Sequence, residues 1–215
     1  VRKYVIGDVR RDPTPDELAR MEALVDTAMR QGAMGLSTSL GYAPAVYAHT
    51  PELVALARVA GRHGGVYASH IRSEGAQIRQ ALAEAFRIGR EANLPVEIWH
   101  LKLSGRAQWG RMASILALFD SVRASGVRAW ANSYPYTASA NDLASIIPAW
   151  AHEGGKDSLL RRLRDPATRA RIRREMIHPP AGEGSSASES GGLGSVVVLA
   201  VLDTALRRYQ GKRIT

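Results

Sequence analysis

Residues 65–100 read GVYASHIRSEGAQIRQALAEAFRIGREANLPVEIWH, and this stretch decides the fold. "GVYASH" reads as a short strand that finishes on His70. "LPVEIWH" reads as a second strand that finishes on His100. Between them, Glu74 to Asn93 has the apolar spacing of a long amphipathic helix. Strand, helix, strand in so few residues predicts a βαβ unit, whose strands are parallel and joined by a right-handed crossover.

The same alternation continues on both sides. Thr14-Pro15-Asp16-Glu17 carries a helix start: Thr14 as N-cap, Pro15 in the first turn, and Glu17 closing a capping box. Leu18, Met21, Leu24, Val25 and Ala28 then recur at helical spacing, and Gly32 ends the run. "AMGLSTSL" (33–40) reads as a strand. Thr50-Pro51-Glu52 opens another helix, which stops near His63-Gly64-Gly65. Downstream, a helix is expected over Trp109–Ser125 and a strand over "VRAWANS" (127–133). That makes four βα repeats. No glycine-rich phosphate fingerprint follows any strand, which argues against an open nucleotide-binding sheet. Polar residues instead stand at the C-terminal end of each strand: Ser37 and Thr38, His70, His100, Ser133 and Tyr134. Barrel enzymes assemble their sites at that end.

Beyond Trp150 the alternation loosens, and we divide the chain accordingly. Residues 1–150 hold the βα repeats. Residues 151–178 read as a helical insertion. Residues 179–194, "PPAGEGSSASESGGLG", read as a flexible loop. Residues 195–215 read as one further buried strand, "SVVVLAVL", and a short helix. A complete (β/α)8 barrel needs about 250 residues. The expectation is therefore the central part of one barrel domain, lacking strands at both ends.

Composition narrows the chemistry. The 215 residues contain no cysteine, so neither disulfides nor thiolate metal ligands are available. The net charge of +9 raises the question of nucleic acid. Much of that charge lies in "KDSLLRRLRDPATRARIRR" (156–174), which reads as two helices with solvated charged faces and carries no recognition motif. We expect neither a nucleic-acid nor a membrane partner. With no apolar run of spanning length and no signal-peptide pattern, we expect a cytoplasmic protein.

His70 and His100 end neighbouring strands, so their imidazoles share one rim of the sheet. Two neutral imidazoles converging there can bind zinc. A strand-end histidine can equally be a hydrogen-bonded structural residue. His49, His63, His152 and His178 lie outside any such pattern and are not expected to be ligands.

The words "GLSTSLGYAP" (35–44), "GGVYASHIRSEG" (64–75), "EIWHLKLSG" (97–105), "WG" (109–110) and "SYPYTAS" (133–139) occur in order. Together they resemble the D-aminoacylase, or N-acyl-D-amino-acid deacylase, branch of the metal-dependent amidohydrolases. The resemblance covers residues 1–150 well and 195–215 weakly. It implies that His70 and His100 are ligands of a tightly bound zinc, the implied cofactor. It implies that Lys102 meets the substrate carboxylate, and that Tyr42 and Tyr134 line the pocket and hold the carboxylate or polarise the amide carbonyl. Arg72 and Glu74 read as an ion pair bracing the histidine loop. The implied reaction is hydrolysis of an N-acyl-D-amino acid, a small-molecule partner, to a carboxylate and a D-amino acid. The alternatives are an amidohydrolase acting on cyclic amides and a non-catalytic barrel remnant.

Three departures stand out. Asn132 and Ser133 replace the usual Asp-Val before "YPYT", and Trp99 replaces a serine before the second histidine. The family's HxH pair, its metal-bridging residue and its catalytic aspartate have no counterpart among the 215 residues. No catalytic residue is therefore assigned within this chain, and the isolated chain is expected to be inactive. The sequence does not give the oligomeric state.

Overall fold

The computed structural model describes residues 1–180, 189 and 191–214. A short helix α1 (Arg2–Ile6) and a longer one, α2 (Pro15–Arg30), precede the sheet. Four strands, β1 (Gly35–Ser39), β2 (Val66–His70), β3 (Val96–Ile98) and β4 (Ala129–Ala131), form that sheet in the order β1-β2-β3-β4. Every pairing is parallel. Helices α3 (Thr50–Arg62), α4 (Ile78–Ala92) and α5 (Met112–Ala124) alternate with the strands. Among the described residues this is half the strand count of a (β/α)8 barrel, with the connections such a barrel uses.

Each helix start has a local cause. At α2 the Thr14 hydroxyl accepts the Glu17 N–H, and the Glu17 carboxylate accepts the Thr14 N–H at 2.8 Å, so the expected capping box forms. Its buried stripe is Met21, Val25 and Met29. α3 carries Pro51 in its first turn and buries Leu53, Val54, Leu56, Ala57, Val59 and Ala60. α4 buries Ile78, Ala81, Leu82, Ala85, Phe86 and Ile88.

These stripes meet the residues of one sheet face. Tyr67, Val96, Ile98 and Ala129 are essentially inaccessible, whereas Ser37, Ser39, Val66 and Trp130 on alternate positions are exposed. The sheet thus has one face packed under helices and one more open. The main core joins α2, α3, α4 and α5 to all four strands.

Several expected boundaries move. α4 begins at Ile78, not Glu74, because residues 71–77 leave the helical path to form the loop that carries Ser73 and Glu74. β3 ends at Ile98, and His100 adopts a left-handed backbone with φ 42°. The helix expected from Trp109 begins at Met112, preceded by a 3-10 turn at Arg106–Gln108.

The larger correction lies at 196–202, where no strand forms. The segment makes one isolated antiparallel bridge, Val197 to Arg213, and Leu199 and Leu202 are 73% and 98% exposed. An apolar run becomes a buried strand only where it finds a sheet edge and covering helices, and among the described residues it meets neither. A 3-10 helix over Thr204–Tyr209 follows. Upstream, α6 (Gly155–Arg164) and α7 (Pro166–Ile177) pack around a small separate core of Ala151, Leu159 and Ile172. The expected flexible loop at 179–194 falls mainly outside the described residues. No helix among the described residues is long and apolar enough to cross a membrane.

Candidate metal centre

Both histidines lie at the C-terminal ends of adjacent strands, as their spacing predicts. His70 is the last residue of β2. His100 sits two residues past β3, where its N–H donates to the Asn132 side-chain oxygen at 2.6 Å. The left-handed turn at His100 swings the imidazole toward its neighbour. His70 Nδ1 and His100 Nε2 are 3.0 Å apart, and the two rings meet edge to face.

The far side of the His100 ring is also defined. Glu74 accepts from His100 Nδ1 at 2.8 Å. Lys102 Nζ lies 2.6 Å from the same carboxylate oxygen and 3.1 Å from His100 Nδ1. An ionised carboxylate only accepts, and accepts more strongly than an imidazole nitrogen, so both His100 Nδ1 and Lys102 direct a proton at Glu74, and Nε2 keeps its lone pair for the gap toward His70. Burial, the largest influence, holds the His70 imidazole below its ordinary pKa and favours the neutral ring that metal binding requires.

The donor set therefore fits a divalent cation. Two nitrogens bound to one zinc at tetrahedral angles lie about 3.3 Å apart, close to the separation seen here. His70, Glu74 and His100 are brought together with ligand atoms within 4.8 Å of one another. The expected ion pair of Glu74 with Arg72 does not form. Residues 71–77 follow an irregular loop, and its path sends the two side chains to different partners. Arg72 holds Glu84 of α4 at 2.6 Å and the carbonyls of Val46 and Ala48, while Glu74 turns to His100 and Lys102.

A cavity of about 420 Å³ opens in front of the histidines, lined by His70, Glu74, His100, Lys102, Tyr134 and the segment around 136–141. Tyr134 stands in the wall, with the Lys102 ammonium 5.3 Å from its ring centre. Tyr42 is placed differently from expectation. It packs on His70 with ring centres 4.9 Å apart, and its hydroxyl donates at 2.9 Å to Oδ1 of Asn141, so it stands behind two lining residues rather than in the lining itself. Burial raises its pKa. His49 and His63 pair instead with Asp12 and Asp26 and take no part in the cavity wall.

Sequence reasoning misses Glu189 altogether. Its carboxylate reaches Ser73 and the Glu74 backbone across more than a hundred residues of chain. The only sign of it in the sequence is that it is one of two acidic residues, with Glu183, in a serine- and glycine-rich stretch.

No protein-family model matches the chain. Over 143 residues it is 41% identical to the D-aminoacylase of Alcaligenes xylosoxydans xylosoxydans, covering 66% of this chain and 29% of that protein. A crystal structure of D-aminoacylase, described as defining a novel subset of amidohydrolases, superposes with a TM-score of 0.62 at 46% identity, covering 64% of this chain and 29% of that one. An N-acyl-D-glutamate deacylase from Bordetella bronchiseptica, complexed with zinc and a phosphonate mimic of the tetrahedral intermediate, superposes with a TM-score of 0.59 at 35% identity, covering 61% and 28%. The chain thus spans less than a third of the length of these relatives. Over about two-thirds of its own length, this chain is a homologue of D-aminoacylase and the N-acyl-D-amino-acid deacylases of the amidohydrolases.

Proposed function

We propose that this chain supplies the two-histidine wall of a zinc site in an enzyme that hydrolyses N-acyl-D-amino acids. The observation that carries the reading is the approach of His70 Nδ1 to His100 Nε2 at 3.0 Å, with Glu74 behind His100. A bound zinc supplies Lewis acidity toward an amide carbonyl. The chain's own residues do the rest of the positioning. His70 and His100 hold the cation from one side of the cavity. Lys102 and Tyr134 present an ammonium and a phenol on the cavity wall, the pair of groups a substrate carboxylate would accept from. Tyr42, set by Asn141 against His70, keeps the His70 ring from rotating. The D-aminoacylase and deacylase relatives support the choice of a linear N-acyl-D-amino acid over a cyclic amide.

The test is zinc titration of residues 1–215, followed by addition of N-acetyl-D-amino acids, their L enantiomers and hydantoin. Zinc should bind weakly, because a catalytic site generally takes three protein ligands and only two histidines meet here. The His70→Ala and His100→Ala variants should each lose it. The D substrates should bind the loaded chain best, without turnover. Preference for hydantoin, or zinc affinity unchanged in both variants, would overturn the reading, and robust deacylation by the isolated chain would overturn its expected inactivity.

A further inference from the structure

The loop between β2 and α4 connects the metal-facing residues to a distant part of the chain. Glu74 orients His100, and Glu74 itself is only 9% exposed. Its neighbour Ser73, 7% exposed, donates its hydroxyl to the Glu189 carboxylate at 2.5 Å. A second oxygen of that carboxylate lies 3.4 Å from the Glu74 N–H. Ser73 Oγ in turn accepts the Gly75 N–H at 3.2 Å. The turn 73–75 is thus a small nest of donors closed around one carboxylate.

Two glycines make room for it. A Cβ on Gly75 would stand 3.0 Å from Glu189 Cγ, and a Cβ on Gly105 would stand 3.0 Å from the Glu189 carbonyl oxygen. Gly105 belongs to the segment after Lys102, so Glu189 is wedged between the two loops that deliver Glu74 and Lys102. The Ser104 N–H donates to the Glu74 carbonyl at 2.8 Å, which joins those loops directly.

We infer that Glu189 is a positioning residue of the metal centre: by holding Ser73 and the Glu74 backbone it fixes the carboxylate that orients His100. The inference rests on the zinc reading above and adds a residue 115 positions from Glu74 that acts without contact to cation or substrate. Its effect passes through Glu74 to His100 Nδ1, and so to the direction of the Nε2 lone pair. Outer partners of metal-binding histidines change affinity by about 10–100-fold when lost. Glu189 acts one link further out, so the lower end of that range is expected. Burial raises the Glu189 pKa, which makes a neutral amide a close substitute for it.

The experiment uses the 215-residue chain with Co(II) as the probe, read by its visible absorption and by competition with zinc. Glu189→Ala should weaken cobalt about 10-fold and alter the band shape, with far-UV circular dichroism unchanged. Glu189→Gln should restore most of the affinity, because its amide oxygen can still accept from Ser73 and the Glu74 N–H. Gly75→Ala, which crowds the Glu189 side chain without removing a polar group, should shift affinity the same way by less. Without metal, the Glu74 amide should exchange faster in Glu189→Ala than in the parent chain. Equal cobalt affinity and spectrum in Glu189→Ala and the parent would overturn the inference, as would a Glu189→Gln variant as weak as Glu189→Ala. If the parent chain itself binds no cobalt while the Glu74 amide still responds to Glu189, the zinc reading fails and the positioning contact stands.

Discussion

The region from Gly35 to Ala131 and the region from Leu143 to Ile177 keep their shape by different means. In the first, strands and helices share a continuous core in which Tyr67, Leu82, Ile88, Val96 and Ile98 lose all contact with water. In the second, the separate core holds Ala151, Leu159 and Ile172, and polar contacts carry more of the structure. Trp150 Nε1 donates to Glu175, Arg171 stacks 4.1 Å above the Trp150 ring, Arg162 holds the carbonyls of Ala151 and Glu153, and Asp165 caps α7 through the Thr168 N–H. Apolar burial scales with area and is non-directional, whereas hydrogen-bonded contacts contribute about 1 kcal/mol each and depend on geometry. The first region should therefore unfold as a unit, and the second should open locally.

Matched isoleucine truncations give the sharpest test. Ile98→Ala should cost about 2–5 kcal/mol in urea-induced unfolding and remove divalent-metal binding with it. Ile172→Ala removes a side chain buried almost as completely, yet its loss should appear as faster amide exchange within 155–177 while divalent-metal affinity stays at the parent value. A common shift of one unfolding transition by both variants would merge the two regions into one cooperative unit.

A smaller effect is expected inside the first region, at a residue that contributes to the site and little to the core. Glu74→Gln should weaken divalent-metal binding about 10–100-fold through His100, with the urea midpoint nearly unmoved. A large fall in stability instead would make Glu74 a fold residue first.

The smallest effect concerns the rim, at α2. A hydrogen bond from Arg11, followed by the Thr14 N–H, holds the Glu17 carboxyl at about 2, against an ordinary value of 4.5. A depressed carboxyl stabilises the folded state above its unfolded pKa and loses that contribution as pH falls. Amide protection in the first turn of α2 should therefore decline between about pH 4.5 and 2. Glu17→Gln should flatten that decline and leave α6 and α7 unaffected.

How much can be read from residues alone follows the same division. The four strands and both histidines are legible because period-2 burial and strand ends are local signals. Lys102 and Tyr134 are legible because they fall within the same strand-end words. Glu74 stands out in the sequence, but its partner does not, because that depends on the path of a loop. Glu189 is invisible, since nothing local ties a residue in a serine-rich stretch to a turn more than a hundred positions earlier. Residues 196–202 mislead because apolarity signals that a segment can be buried, not that a partner is present to bury it.

Asn132 has a consequence beyond fastening the turn at His100. Its Oδ1 accepts the His100 N–H while its Nδ2 donates to Glu97 at 3.1 Å. Only an amide can do both at once; a carboxylate in its place would still serve His100 but would set two negative charges face to face. Positions 97 and 132 are therefore a matched pair that must be exchanged together. A chimera carrying Asn132→Asp alone would suffer electrostatic repulsion just beneath the histidine turn, and one carrying Asn132→Asp together with Glu97→Gln would not.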